Sequence, residues 1–146
     1  MFKNILVCMS LLLVASVSQA ALRGEWTGWG EWTYQGQGTH CTVMKLKFSE
    51  SAEKLTRDKG YFDCGIVGLD LPAQEFIKQG DALLVDGEVV GSVQGDLYQW
   101  REQYSESVVI KNSIQVSGGH LDYKEIWYDS KGDELYVITG RMFLKE

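Results

Sequence analysis

Proline, histidine and cysteine are scarce in this chain of 146 residues: one proline, two histidines and three cysteines. His40 and His120 lie far apart, and a zinc centre needs three or four ligands, so no metal and no cofactor are expected. Positive charge is also short, with 14 Lys and Arg against 20 Asp and Glu, a net charge of -6. The only basic cluster, Lys45-Leu46-Lys47, is too small to displace the counterions of a polyanion. Nucleic acid is therefore excluded as a partner. After residue 20 no stretch approaches the ~18 apolar residues of a membrane helix. A lipid-embedded β-barrel needs an unbroken apolar outer band. Here Glu25, Thr27, Glu31 and Thr33 flank Trp29 on one strand face. No Gly-x-Ser-x-Gly elbow is present. The acidic pairs Asp122/Glu125 and Asp129/Asp133 fall at or near turns, where acids serve the backbone. Catalysis is not expected.

The first twenty residues are an export signal of the Sec type. Lys3 supplies the positive start, Ile5 to Val17 the apolar run, and Ser18-Gln19-Ala20 the small-x-small cleavage pattern. Cys8 follows Val7 and lies too early to be a lipidated cysteine. Cleavage removes Lys3 and leaves residues 21–146, one domain, at a charge of -7. The expected location is the periplasm or the medium. Such a compartment is oxidising, and the two remaining cysteines, Cys41 and Cys64, are expected to bridge.

A hairpin supports that bridge. Thr42, Met44, Leu46 and Phe48 alternate with Cys41, Val43, Lys45 and Lys47, the period of a strand. A turn at Ser51-Ala52-Glu53-Lys54 aligns Glu50 with Leu55, Lys47 with Asp58, Met44 with Tyr61 and Cys41 with Cys64. Opposed residues on antiparallel strands stand about 4.5 to 5.5 Å apart, within disulfide reach.

The rest of the mature chain reads as short strands between tight turns, rich in Val, Thr, Tyr and Trp, with sixteen glycines. On the first strand Trp26, Trp32 and Tyr34 share a face, with Gly28 and Gly30 between them leaving room for a neighbour. Trp29 faces the other way, a candidate for contact with a partner. Asp70 to Gly80 fits either a capped helix or a strand, with the balance toward a strand. Asp86-Gly87 is a strong hairpin signal. Nine or ten strands without a long crossover predict an all-β antiparallel up-and-down meander closed into a barrel, which removes exposed edges. A two-sheet β-sandwich is the alternative.

The opening strand, Leu22-Arg23-Gly24-Glu25-Trp26, resembles that of calycin-type barrels such as lipocalins, avidins and nitrobindins, which begin with Gly-x-Trp. The resemblance implies that an arginine near the end of the barrel packs across this tryptophan. Arg141, in Thr139-Gly140-Arg141-Met142-Phe143, takes that part, a cation-π pair.

Five tryptophans suit a cavity that grips an apolar or ring-shaped ligand. The expected function is non-catalytic binding of a small apolar or amphipathic molecule inside the barrel. The candidate lining is Trp32, Tyr34, Met44, Phe48, Trp100 and Trp127. Arg101 alternates with Leu97 and Gln99, and would meet a carboxylate ligand if that face pointed inward. The alternative is a filled barrel that works through its surface, binding a protein or an envelope component.

Overall fold

The computed structural model describes residues 21–146, so the export signal read at residues 1–20 lies outside the described residues. Twelve strands follow one another: β1 (Gly24–Tyr34), β2 (Gln37–Glu50), β3 (Lys54–Arg57), β4 (Gly60–Asp63), β5 (Gly68–Leu71), β6 (Gln74–Gln79), β7 (Ala82–Val85), β8 (Glu88–Gln94), β9 (Leu97–Ser105), β10 (Val108–Ser117), β11 (His120–Tyr128) and β12 (Glu134–Leu144). All pairings are antiparallel, and β1 pairs with both β2 and β12. The ring therefore closes through ten strands, while β4 and β5 branch from it at Val43, Met44 and Lys45 of β2. The ambiguous segment is extended, as β5 and β6.

Turn chemistry joins these strands. Gln35-Gly36 and Asp86-Gly87 both hold two successive residues at positive φ (49° and 76°, 50° and 81°), the hairpin turn whose twist matches its strands. Alternation then directs one face inward. Trp26, Met44, Leu46, Phe62, Phe76, Ile114, Leu121 and Met142 are all buried there. Met44 lies over two glycines: a Cβ on Gly140 would stand 2.3 Å from its Sδ, and one on Gly30 2.6 Å.

Cys41 and Cys64 form the disulfide. The hairpin around them departs from the simplest register in two places. Glu50 opposes Leu55 as expected, and the Asp58 N–H donates to Lys47 O at 2.8 Å. One extra residue then enters at the break between β3 and β4, so Met44 opposes Phe62, not Tyr61. The slip turns Phe62 into the core and leaves Tyr61 40% exposed. On the other side of β2, Gly28 pairs with Met44 but Gly30 with Cys41, a bulge on β2. This bulge brings Cys41 to the buried side with Met44, although plain alternation separates them.

Arg141 does not pack across Trp26. In the β1–β12 register it opposes Trp29, on the outer face. Its Nε and Nη2 donate to Asp122 on β11 at 2.7 and 3.1 Å. Trp26 points inward, and its Nε1 donates to the Leu22 carbonyl at 2.7 Å. The two side chains leave opposite faces of the sheet, which prevents their contact.

Candidate functional site

The two ends of the barrel differ. At one end the segment before β1 fills the opening. Leu22 is fully buried, and its N–H donates to Glu50 at 3.0 Å. Glu50 also accepts from Tyr98 Oη (3.0 Å) and Lys78 Nζ (2.8 Å), tying β2, β6 and β9 together. Burial and the nearby Glu50 charge push the Tyr98 hydroxyl well above its ordinary pKa.

At the other end lies a cavity of about 680 Å³ between β5 and the wall formed by β9 to β11. Its apolar walls come from Leu69 and Leu71 on one side, Phe76, Val85 and Val90 on a second, and Ile110 and Trp127 on a third. Asp70, Asp86, Glu88, Arg101 and Tyr104 stand around it, and Arg57, Glu102 and Glu125 close it from within. Arg101 is exposed, so it is not a buried cation.

The inner polar groups form two linked sets. Arg57, 2% exposed, pairs with Glu102 at 2.8 Å through Nη1. It donates to the Pro72 carbonyl from Nε (3.2 Å) and Nη2 (3.0 Å). Trp100 Nε1 donates to the same Glu102 oxygen at 2.8 Å. In the second set Tyr123 Oη and Trp127 Nε1 both contact the Glu125 carboxyl. Tyr123 Oη also meets Asn112 Oδ1 at 3.0 Å. One hydroxyl hydrogen cannot serve both Asn112 and an ionised Glu125. When ionised, Glu125 accepts from Tyr123; when protonated, it can donate to Tyr123 and leave the Tyr123 hydrogen for Asn112 Oδ1. Burial raises the Glu125 pKa accordingly, against the pull of its two donors. Among the described residues Asn112 Nδ2 is buried without a hydrogen-bond partner.

Trp127 belongs to a row of rings on this end of the barrel. It lies 4.6 Å from Tyr104 and stacks on Tyr136 at 4.9 Å. Tyr136 meets Trp32 edge-on at 5.7 Å, and Trp32 stacks on Tyr34 at 6.0 Å. Burial, reinforced by Glu125 and Tyr104, pushes Tyr136 up to about 12.

The expected lining residues divide accordingly. Trp127 lines the cavity. Trp32 and Tyr34 reach it only through the ring row. Trp100 is buried behind the wall against Phe76, 5.3 Å between rings. Met44 and Phe48 are packed in the core. The sequence reading missed Arg57, Phe76 and Glu102, and it set Glu125 aside with Asp122 as acids at or near turns, whereas both lie within β11 and Glu125 is buried. A signal for the two acids existed: Glu102 stands between Trp100 and Tyr104, and Glu125 between Tyr123 and Trp127, at strand spacing. That places a carboxyl on an aromatic inward face.

No protein-family model matches the chain, and no curated protein matches it in sequence. Solved structures do. A protein of unknown function from the DUF3598 family of Nostoc punctiforme aligns with a TM-score of 0.60 at 13% identity, over 85% of this chain and 47% of that one. The chain thus spans about half of the Nostoc protein. Rv2717c of M. tuberculosis aligns with a TM-score of 0.59 at 14% identity, over 86% of this chain and 93% of that one. At such identities the likeness is one of fold: all-β proteins with a ring of strands.

Proposed function

We propose that this chain is an exported, non-catalytic binding protein of calycin-like build, which holds a small amphipathic molecule in the cavity beside Trp127. The observation that carries this is the cavity itself. At about 680 Å³ it falls in the size range of small-molecule sites, and its apolar walls end on a few buried polar groups. Met44, Phe48 and their neighbours are packed in the core, and the cavity lies at one end of the barrel, beside that core. Export accords with the Cys41–Cys64 bridge, because such bonds persist in oxidising compartments.

Native mass spectrometry of mature protein from an exporting host tests the reading, with the denatured mass as reference. An added non-covalent mass that disappears in Trp127→Ala is the expected result. A bare polypeptide mass, together with no change in tryptophan emission across a panel of amphiphiles, rejects it. A role at the surface is favoured by one different observation. Trp29 is 53% exposed and Phe143 42% exposed, with their rings 5.5 Å apart on the outer face of β1 and β12. Loss of partner capture in Trp29→Ser with ligand retention intact would point to that face.

A further inference from the structure

We infer that the molecule held in the cavity carries a protonated amine, seated against the Glu125 carboxylate with its apolar body along Trp127. The inference rests on the cavity being a ligand site, and it names the ligand's class. Three observations lead to it. The first is the state of the buried cation. Arg57 gives three of its five N–H donors to Glu102 and the Pro72 carbonyl, and its charge is already paired with Glu102, so it does not call for a carboxylate ligand. The second is the carboxyl that lacks a counter-ion. Glu125 is 2% exposed and lines the cavity. Its two close partners, Tyr123 and Trp127, are neutral donors. Among the described residues no ion pair includes it. A carboxylate has about four acceptor positions, and two remain. The third is the sign of the surroundings. Asp70, Asp86, Glu88, Glu102 and Glu125 line the cavity against only Arg57 and Arg101. The indole of Trp127 adds a ring face that attracts cations.

Proton balance follows. Where Glu125 begins protonated, an ammonium group takes the place of its proton, and one proton leaves to solvent. The charged and titratable groups around Glu125 are Glu102, Arg57, Tyr123 and Tyr136. The Glu102 and Arg57 charges act on it in opposite senses.

The test is calorimetric titration of the mature protein with octylamine, octanol and octanoate, which share one tail. Octylamine is expected to bind about tenfold more tightly than octanol, the gain of a charge-assisted bond over a neutral one. Octanoate is expected to bind weakest. Heats in two buffers of different ionisation enthalpy should reveal proton release for octylamine alone. In Glu125→Gln, which keeps both hydrogen-bond partners, octylamine should fall to the affinity of octanol. If octanol or octanoate equals octylamine in the wild type, the amine class is wrong while the cavity remains a ligand site. If none of the three binds, the ligand reading fails with it. The wild-type series decides even if the variant does not fold.

Discussion

Arg57 and Glu102 are 45 residues apart and form an ion pair at 2.8 Å, joining β3 to β9 at the cavity's inner face. The guanidinium is nearly inaccessible, whereas Glu102 keeps 19% of its side-chain surface. Removing one partner strands the other, so Glu102→Ala should cost roughly 3 kcal/mol. It also leaves Trp100 Nε1 without its acceptor. A double variant, Arg57→Met with Glu102→Leu, removes both charges and should recover most of that loss. Urea unfolding of the three proteins decides the point. A double variant no more stable than the single would mean that packing around Arg57, not charge pairing, sets the cost.

The bridge between Cys41 and Cys64 spans 23 residues of sequence. Loop closure in the unfolded chain puts its contribution at about 3 kcal/mol. Replacing both cysteines by serine should therefore lower the melting temperature by about 10 °C. The intact oxidised protein should weigh two hydrogens less than after reduction. Two thiols that react freely in the native protein would refute the bridge.

Arg141 leads to the opposite expectation. Its guanidinium is exposed and paired with the exposed Asp122, at 54% and 48% side-chain exposure. The hydrogen bond from Arg141 holds the Asp122 carboxyl below its ordinary pKa, but an exposed pair is well solvated in either state. Arg141→Ala should leave the melting curve nearly unchanged. Trp26→Ala should unfold the protein at far lower temperature, since Trp26 is fully buried and bonded to Leu22. A large loss in Arg141→Ala would restore a structural role for the arginine.

These cases show what pattern alone can convey. Alternation and turn residues act between near neighbours, so the ring, the Asp86-Gly87 hairpin and the hairpin that carries Cys41 and Cys64 could be read directly. Bulges cannot. One extra residue on β2, in its pairing with β1, and another between β3 and β4 reverse which side chains face inward, and the second arises where β2 passes from β3 to β4. The cavity depends on that change of partner, because β5 pairs only with β4 and leaves its other edge open. Trp127 could be identified from its face. Met44 and Phe48 share an inward face too, but the hollow over Gly30 and Gly140 receives Met44, a contact between strands distant in sequence. Glu102 and Glu125 were hidden by the ordinary expectation that acids near strand ends are solvated.

Glu125 supplies the pH dependence. Burial raises its pKa in the folded protein, whereas the unfolded chain keeps a value near 4.3. The folded state thus binds the proton more tightly, and protonation favours folding. This contribution is fully present below the unfolded pKa and is lost as pH rises through the folded value. Glu125→Gln removes the titration while keeping an acceptor for Trp127 and a donor for Tyr123. The melting temperature of the variant relative to wild type should therefore increase from about pH 4 upward, and it should level off once wild-type Glu125 is fully ionised. Calorimetry across that range in matched ionic strength provides the measurement. A difference that stays constant, or that shrinks as pH rises, would mean that Glu125 ionises in the folded protein as readily as in the open chain. The protonated chain from Glu125 through Tyr123 to Asn112 would then be wrong.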